Sequence, residues 1–485
     1  MQTKKTSTKT GSALSLNRRS FLAATGAIAA ATKMGLLDFT SSLFAAESDS
    51  AKKPRVRAVF IRPKVDKYWM GWPGAQYDIK ALQREYTKIL NDAAEKFGVN
   101  LQVSKEPLHT DELASQFLKE VKENPPEGLI VVNMCLHHGG YSAWKQTDNI
   151  AKNRGDIPTI VFSPMGTSFT GHLQATRNIP RLYVAATQDL DWLSFGLRML
   201  STIHKMKNTR ICIVAGNKTE DRPLDVIGTT LHYIPGKRFL DELKKVKLTD
   251  EVREMADRYT RNAKKIVEPK KQDIIDAAKN YVVCRRLMAA ENCQGFSMDC
   301  LGPVSRREIQ PPCMAFSRLR DEGGLGTCEA DWNAAISTRL TNLLFDRPGF
   351  MQDPAPNTVN NTLMGAHCCC ATRLDGFDKP PEPFILRTHS ESNVGVAMQV
   401  LWREGQKVTV MKFQGPGSIV LGTGRVLRNI DTPPAGGCRT SVEIEMDDVA
   451  DSRDTKGFHQ LFIYGDLELP FKAYCHLAGI KVVHI

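Results

Sequence analysis

The first part of the chain alternates short apolar runs with stretches of helical periodicity. Residues 57–61, 128–134 and 157–162 are nearly continuous apolar runs, as in strands that are buried on both faces of a sheet. Residues 78–97, between the first two runs, carry apolar side chains at helical spacing. Strands that alternate with helices predict a doubly wound, parallel α/β domain over residues 55–175.

The same texture continues over residues 176–345. Apolar runs at residues 210–215 and 295–300 predict strands, and the charged stretch between residues 250 and 280 predicts helices. Residues 330–345 have the apolar spacing of an amphipathic helix. A second doubly wound, parallel α/β domain is therefore expected here.

The pattern changes after residue 346. Short apolar runs separated by Gly, Pro and Asn predict strands without intervening helices, which is typical of an antiparallel sheet or barrel. The Gly-Thr-Gly run at 422–424 is interpreted as a turn. The predicted strands lie at residues 384–387, 394–401, 407–413, 418–421, 440–445 and 459–463. We therefore predict two doubly wound parallel α/β domains followed by a mostly antiparallel, barrel-like β domain at residues 346–485.

The first 46 residues differ in composition from the rest. Their only acid is Asp38, and two arginines at 18–19 precede a mildly apolar, Ala-rich stretch at residues 23–31. This order of basic, apolar and small residues predicts a twin-arginine export signal over residues 1–46, with a linker at 47–54. The alternative is an amphipathic N-terminal helix. Export would take the protein to the periplasm or cell envelope of a bacterium, without membrane contact once the signal is removed.

Charge and cysteine content narrow the class of protein. The 485 residues carry 65 basic and 53 acidic side chains, a formal net charge of +12. Residues 1–46 contribute +5 of this charge and no basic aromatic motif follows, so nucleic-acid binding is not expected. The 12 cysteines include no CxxC pair. A chain of this length needs no disulfide framework, so we interpret most of them as buried free thiols.

Candidate catalytic residues concentrate between residues 311 and 374. Glu329 precedes a predicted helix, Asp353 lies between a glutamine and a proline, and His367 follows two small residues. Carboxylates together with an imidazole suit a divalent cation such as Mn²⁺. The structural alternatives are a helix cap for Glu329, a turn aspartate for Asp353 and a buried core histidine for His367.

Around these residues the chain resembles the L-fucose isomerase and L-arabinose isomerase superfamily. The resemblance is carried by Arg-Leu-Arg-Asp-Glu-Gly at 318–323, Cys-Glu-Ala-Asp at 328–331, Phe-Met-Gln-Asp at 350–353, Ala-His-Cys at 366–368 and Phe-His-Gln-Leu-Phe-Ile-Tyr-Gly at 458–465. It implies that Glu329 and Asp353 ligate a metal ion and also act as acid and base. It further implies that His459 is a late histidine ligand, and His367 matches a ligand of the arabinose-type members.

The resemblance also implies an activity and an assembly. Family members have two α/β domains and a β-rich C-terminal domain, and the implied function is a Mn²⁺-dependent aldose–ketose isomerase that converts a sugar through an enediol. A homo-oligomer, a trimer or hexamer, is expected. The chain departs from the family at Phe458 and Gln460, where an asparagine or a second histidine is usual. The export signal is a second departure, because family members are mostly cytoplasmic.

Further residues are candidates for contact with the sugar. Asp299 ends a predicted strand, where ligands of α/β domains bind, and Arg318 belongs to the first matching segment. Trp69 and Gln76, with Trp72 between them, form an aromatic segment that could stack on a sugar ring, and a core role is the alternative for the tryptophans. Two other functions stay open here. They are an exported sugar-binding protein that has lost turnover, and an epimerase or lyase that uses the same metal site on a modified sugar.

Overall fold

The computed structural model describes residues 52–70, 74–433 and 436–485. The export signal predicted for residues 1–46 lies outside the described residues, and so does Trp72. The interpretations of both therefore stay predictions.

The first part of the fold is a parallel sheet with helices between its strands. Its strands are β1 (Arg55–Ile61), β2 (Lys67–Met70), β3 (Ala75–Asp78), β4 (Asn100–Val103), β5 (Gly128–Asn133), β6 (His137–His138), β7 (Tyr141–Ser142), β8 (Thr159–Ser163) and β9 (Leu182–Ala186). Its helices are α1 (Ile79–Phe97), α2 (Asp111–Glu123), α3 (Ala143–Asn153), α4 (Thr170–Thr176) and α5 (Asp191–Lys207). Five strands pair in parallel in the order β4-β1-β5-β8-β9, while β2–β3 and β6–β7 are hairpins.

The predicted apolar runs and helical stretch take their expected places in this sheet. All six residues of β5 are buried, because the strand lies in the middle of the sheet. Helix α1 begins after Asp78, whose side chain accepts a hydrogen bond from the backbone of Ala81. It ends at Gly98, which has the left-handed φ of 67° that a glycine adopts without strain.

The second part repeats the alternation. Its strands are β10 (Arg210–Val214), β11 (Glu220–Pro223), β12 (Thr230–Ile234), β13 (Lys265–Ile266), β14 (Gly295–Met298) and β15 (Leu325–Cys328). Its helices are α6 (Gly236–Lys245), α7 (Asp250–Asn262), α8 (Lys271–Ala290), α9 (Leu301–Ser305), α10 (Cys313–Asp321) and α11 (Trp332–Phe345). The sheet has the order β11-β12-β10-β14-β15, and it is parallel except for β11, so β15 is an edge strand.

The last part is built from strands. These are β16 (Phe350–Asn357), β17 (Thr362–His367), β18 (Phe384–Arg387), β19 (Ala397–Val400), β20 (Lys407–Phe413), β21 (Ser418–Asn429), β22 (Thr440–Met446), β23 (Gln460–Tyr464) and β24 (Lys481–His484). A 3₁₀ turn (Ser452–Asp454) and helix α12 (Glu468–Ala478) interrupt them. Six strands close an antiparallel barrel in the order β20-β23-β16-β17-β22-β21, because β21 pairs back with β20. Strand β24 pairs in parallel with β21, and β13 joins β18 and β19 in a small sheet.

The prediction of parallel α/β sheets followed by a barrel-like β region is confirmed at this level. The interpretation of residues 422–424 as a turn is wrong, because β21 runs through them to Asn429. Their two glycines serve close packing instead. A Cβ on Gly422 would lie 2.2 Å from the side chain of Ile485, and one on Gly424 would lie 2.5 Å from the backbone oxygen of Glu445.

Candidate metal centre

The candidate site lies where the second parallel sheet meets the barrel. Strand β15 ends at this edge of the sheet, and Glu329 follows it directly. Three neighbouring barrel strands supply the other residues: Asp353 lies in β16, His367 ends β17 and His459 immediately precedes β23. Pairing in the order β23-β16-β17 brings these three side chains to one end of the barrel. The structure thus gathers all four predicted metal ligands.

The four side chains contact one another through their ligating atoms. His459 Nε2 lies 3.1 Å from Asp353 Oδ1 and 3.4 Å from Glu329 Oε2, and His367 Nε2 lies 3.9 Å from Glu329 Oε1. The ligating atoms of Asp353, His367 and His459 all lie within 4.8 Å of one another. These separations are close to those between the ligands of one metal ion.

Three buried atoms of this cluster form no hydrogen bond of good geometry in the described part of the chain, although two of them lie 3.1 Å apart. They are Asp353 Oδ1, His367 Nε2 and His459 Nε2. Buried polar atoms are almost always paired, so these three point to a species that the chain itself does not supply. A divalent cation fits, because carboxylate oxygen and imidazole nitrogen are its usual protein ligands.

Asp331 determines which nitrogen of His459 faces the cluster. Its Oδ2 accepts hydrogen bonds from His459 Nδ1 at 2.9 Å and from Lys412 Nζ at 2.6 Å. With its proton on Nδ1, the ring presents the Nε2 lone pair to the cluster, as metal-ligating histidines do. Burial acts to raise the pKa of Asp331, but the hydrogen bonds from His459 and Lys412 outweigh it and lower the pKa to about 2.

The carboxylates favour positive charge at His459. Burial acts to lower the pKa of this ring, but Asp331, Asp353 and Glu329 together raise it to about 11. In the absence of a metal ion a proton supplies that charge. A divalent cation can replace the proton at Nε2, because metal binding and protonation use the same lone pair.

The ring of His367 has two hydrogen-bonding states. Its Nδ1 lies 3.0 Å from the backbone nitrogen of Cys368 and 3.4 Å from the sulfur of Cys369. When Nδ1 accepts from the Cys368 backbone, the proton is on Nε2 and the ring donates toward the cluster. When Nδ1 donates to Cys369, Nε2 is free to ligate. Burial acts to lower its pKa, but Cys369 and Asp353 raise it to about 9.

Left-handed backbone conformations shape the cluster. Glu329, Ala330 and His459 have φ angles of 58°, 52° and 55°, which L-amino acids seldom adopt and which concentrate at functional sites. The first two turn the chain from β15 toward α11. Asp331 then caps α11 by accepting a hydrogen bond from the backbone of Ala334 at 2.9 Å. The alternative of Glu329 as the helix cap is therefore wrong, because the cap is Asp331.

Solvent reaches the cluster from the side of the carboxylates. The side chains of Glu329 and Asp353 are 28% and 36% exposed, whereas the two histidines are almost completely buried. Phe458 is exposed beside His459. Behind the carboxylates lies a cavity of about 40 Å³, here called the ligand cavity. A sugar would therefore bind on the open side, because the ligand cavity has room for an ion or a few waters only.

The residues predicted to contact a sugar come from other elements than the four ligands. Asp299 is exposed at the end of β14, and Arg318 forms an ion pair with Glu322 at 2.5 Å within α10 and its C-terminus. Trp69 and Gln76 face each other across the β2–β3 hairpin of the first part, where Trp69 is exposed. None of these four predicted residues lines the ligand cavity in the described part of the chain. Their proposed contact with a sugar stays a prediction.

Sequence reasoning assigned no role to four residues that belong to the site. Asp331 and Lys412 support His459, while His389 and Glu391 line the ligand cavity. The position of Asp331 at the start of a predicted helix is a signal for a cap, but nothing local links it to a histidine 128 residues away. Lys412 lies in an apolar strand and gives no signal in the sequence.

A scan against models of known protein families finds no match, and a search of curated proteins finds none either. In the described part of the chain, no helix combines the length and the apolar character that crossing a bilayer requires.

Proposed function

We propose that this protein is a metal-dependent aldose–ketose isomerase acting on a sugar through an enediol intermediate. The observation that carries the proposal is the arrangement of the His459 ring. Its hydrogen bond to Asp331 sets the tautomer, and its buried Nε2 lies 3.1 Å from Asp353 and 3.4 Å from Glu329. Glu329, Asp353 and His459 would hold the cation, with Mn²⁺ as the expected ion and His367 as a further ligand. When bound, such an ion acts as a Lewis acid on the oxygens of the substrate.

The two carboxylates suit the proton transfers of this reaction. Isomerisation removes a proton from one carbon of the sugar and returns it to the neighbouring carbon. Glu329 and Asp353 come from different strands and are the exposed members of the cluster, so both can reach a substrate on the open side. One accepts the proton while the other donates, a form of acid–base catalysis that contributes roughly 10²–10⁴-fold to a rate.

The neighbouring residues keep the cluster ready for this task. Asp331 and Lys412 hold His459 in one orientation, and Lys412 also donates to the backbone oxygen of Phe458. In the state in which Nδ1 accepts from the backbone of Cys368, His367 has a proton on Nε2. In that state the ring does not ligate, so the role of His367 as a further ligand requires the other state, in which Nδ1 donates to Cys369.

The sequence and the strand order supply further parts of the proposal. We infer that both parallel sheets are doubly wound, since strand order proceeds outward in both directions from β1 in the first sheet and from β10 in the second. Right-handed crossovers then place helices on opposite faces. Export by the twin-arginine route and assembly into a trimer or hexamer are proposed with it. Assembly matters for the substrate, because the open side of the cluster could be completed by a second subunit.

Metal analysis and an aldose–ketose panel test this function on the purified protein. We expect bound Mn²⁺ and conversion of at least one aldose, with deuterium from D₂O appearing at C1 or C2 by NMR. Glu329→Gln and Asp353→Asn should abolish conversion, while Glu404→Gln, at an exposed carboxylate of a turn, should not. Retention of full activity in both site variants would overturn the proposal. Deuterium at another carbon, or loss of water from the sugar, would indicate an epimerase or lyase instead.

A further inference from the structure

Five thiols converge on the ligand cavity. They are Cys300, Cys313, Cys328, Cys368 and Cys438. All 12 cysteines are free and 11 are buried, as the sequence predicted, but their convergence was not visible in the sequence. The five come from separate segments with no metal-motif spacing, so only the fold brings them together. The proposed proton transfers use none of them.

The closest pair of these thiols lies beside a metal ligand. Cys300 follows β14 and Cys328 ends β15, the neighbouring strand, and their sulfurs are 3.2 Å apart. Cys368, which also lines the ligand cavity, hydrogen-bonds with Cys313 and Cys438. The ligating atoms of Cys328, Glu329 and His367 lie within 4.8 Å of one another. Sulfur, nitrogen and oxygen ligands therefore meet on the buried side of Glu329.

This second set of ligands prefers a different ion from the first. Thiolates favour thiophilic cations such as Zn²⁺, which accepts cysteine, histidine and carboxylate ligands together in one tetrahedral site. Carboxylates without sulfur favour harder ions such as Mn²⁺ or Mg²⁺. The ligand cavity, at about 40 Å³, has room for an ion with a water. The Nδ1 of His367 can donate to the sulfur of Cys369 at 3.4 Å, which leaves Nε2 free for that ion.

We propose that the cavity side of the centre is a second metal site, for a thiophilic divalent cation. Its ligands are Cys300 and Cys328, together with His367 and Glu329, which it shares with the first site. Binding releases the thiol protons to solvent and requires no change of oxidation state. This site goes beyond the proposed isomerase and does not depend on it. Because Glu329 is shared, Zn²⁺ at the second site would compete with Mn²⁺ at the first site for this carboxylate.

Cadmium is the probe for this site, because its bonds to thiolates absorb in the near ultraviolet and can be counted without any enzyme assay. We expect the full chain, reduced and metal-free, to develop this absorption on titration with Cd²⁺. Cys328→Ser and Cys300→Ala should each lose most of it. Cys293→Ser is the matched control, because Cys293 also forms a close thiol pair, with Cys212, and does not line the ligand cavity. Its absorption should equal that of the parent protein.

Three results would overturn the proposal. They are no absorption in the parent protein, undiminished absorption in both Cys300→Ala and Cys328→Ser, and a Cys300–Cys328 disulfide found by mass spectrometry in protein isolated without air. Circular dichroism identifies a variant that fails to fold. His367→Gln then tests the same site without altering a thiol, and it should weaken Cd²⁺ binding. Mn²⁺ content, measured separately, reports on the first site, so failure of one proposal does not imply failure of the other.

Discussion

Asp331 acts on the metal centre through another residue. Its carboxylate is ionised, caps α11 with one oxygen and holds His459 and Lys412 with the other. The tautomer of His459, and so its ability to ligate a cation through Nε2, depends on this contact. Asp331 is therefore a positioning residue, and its effect should appear in the affinity of the proposed site for a metal ion.

Replacement of Asp331 by asparagine should separate these two roles. Asparagine caps a helix as well as aspartate does, so the start of α11 is kept. Thermal stability should still fall, because the buried Lys412 loses its counter-ion. The charge that favours the Nδ1 proton of His459 is lost, and Mn²⁺ affinity should fall roughly 10–100-fold. Titration of the metal-free protein with Mn²⁺ measures this. Asp346→Asn, at the opposite end of α11, is the control, and equal affinities in the two variants would contradict the positioning role.

The two histidines should differ in their importance for Mn²⁺. Asp331 fixes the tautomer of His459, whereas His367 must exchange its bond with the Cys368 backbone for one with Cys369 before it can ligate. His459→Ala should therefore lower the Mn²⁺ content of the purified protein more than His367→Ala does. Elemental analysis of both variants after the same dialysis gives the order, and the reverse order would exclude His459 as the main imidazole ligand.

At the scale of elements, the turn between β15 and α11 has a strained backbone that places Glu329 at the site. Two consecutive residues, Glu329 and Ala330, hold left-handed φ angles there. Each costs an L-amino acid roughly 1–2 kcal/mol. A glycine would relieve the strain, but at the first position it would also remove a metal ligand. The strain therefore lies where the site needs the turn.

Ala330→Gly should raise the free energy of unfolding by roughly 1 kcal/mol, since the relieved strain exceeds the extra freedom of the unfolded chain. Mn²⁺ binding should be retained, because Glu329 keeps its side chain. Ala335→Gly in the middle of α11 is the control and should lower stability by roughly 1 kcal/mol or more. Denaturant titration measures both. A destabilising Ala330→Gly would mean that the turn is held by contacts of the alanine methyl group.

The barrel also depends on a close approach at one glycine. A Cβ on Gly365 in β17 would lie 2.3 Å from the ring of Phe462 and 2.9 Å from the side chain of Gln352. Gly365→Ala should therefore lower the free energy of unfolding by roughly 1–3 kcal/mol, because the buried ring has to move. Gly171→Ala in α4, where a Cβ meets nothing within 4 Å, should leave it unchanged or raise it. Equal thermal midpoints for the two variants would contradict this packing.

At the scale of the whole molecule, the centre joins two parts of the fold. Glu329 belongs to the second parallel sheet, while Asp353, His367 and His459 belong to the barrel. An ion held by both parts binds the folded chain and not the unfolded one. Metal binding should consequently stabilise the protein as a unit, since a ligand specific to the native state shifts the unfolding equilibrium.

Mn²⁺ should raise the unfolding temperature of the metal-free protein in a concentration-dependent way. At a free concentration about 100 times Kd the gain is about 2.7 kcal/mol. The Glu329→Gln variant should lose most of this gain in stability, because it lacks the carboxylate ligand that follows β15 of the parallel sheet. Thermal unfolding followed by circular dichroism, with chelator and then with added Mn²⁺, provides the measurement. An equal gain in Glu329→Gln would place the ion elsewhere.

The sequence by itself determined most of the elements and several candidate ligands. A buried strand such as β5 follows from a local apolar run, because burial on both faces of a sheet favours apolar residues along the strand. Glu329, Asp353 and His367 are candidates from their place in the sequence, and His459 is a candidate from the resemblance. The basic excess of residues 1–46 and the expectation of free thiols also follow from the sequence alone.

Only the tertiary structure decided how these residues work together. Asp331 meets His459 across 128 residues, and Cys300 meets Cys328 across neighbouring strands, through pairings that no local pattern encodes. The glycines of β21 resemble a turn in the sequence and are packing contacts in the barrel. The physical reason is that periodicity reports which face of an element is buried. Strand order and register determine which distant side chains share that face.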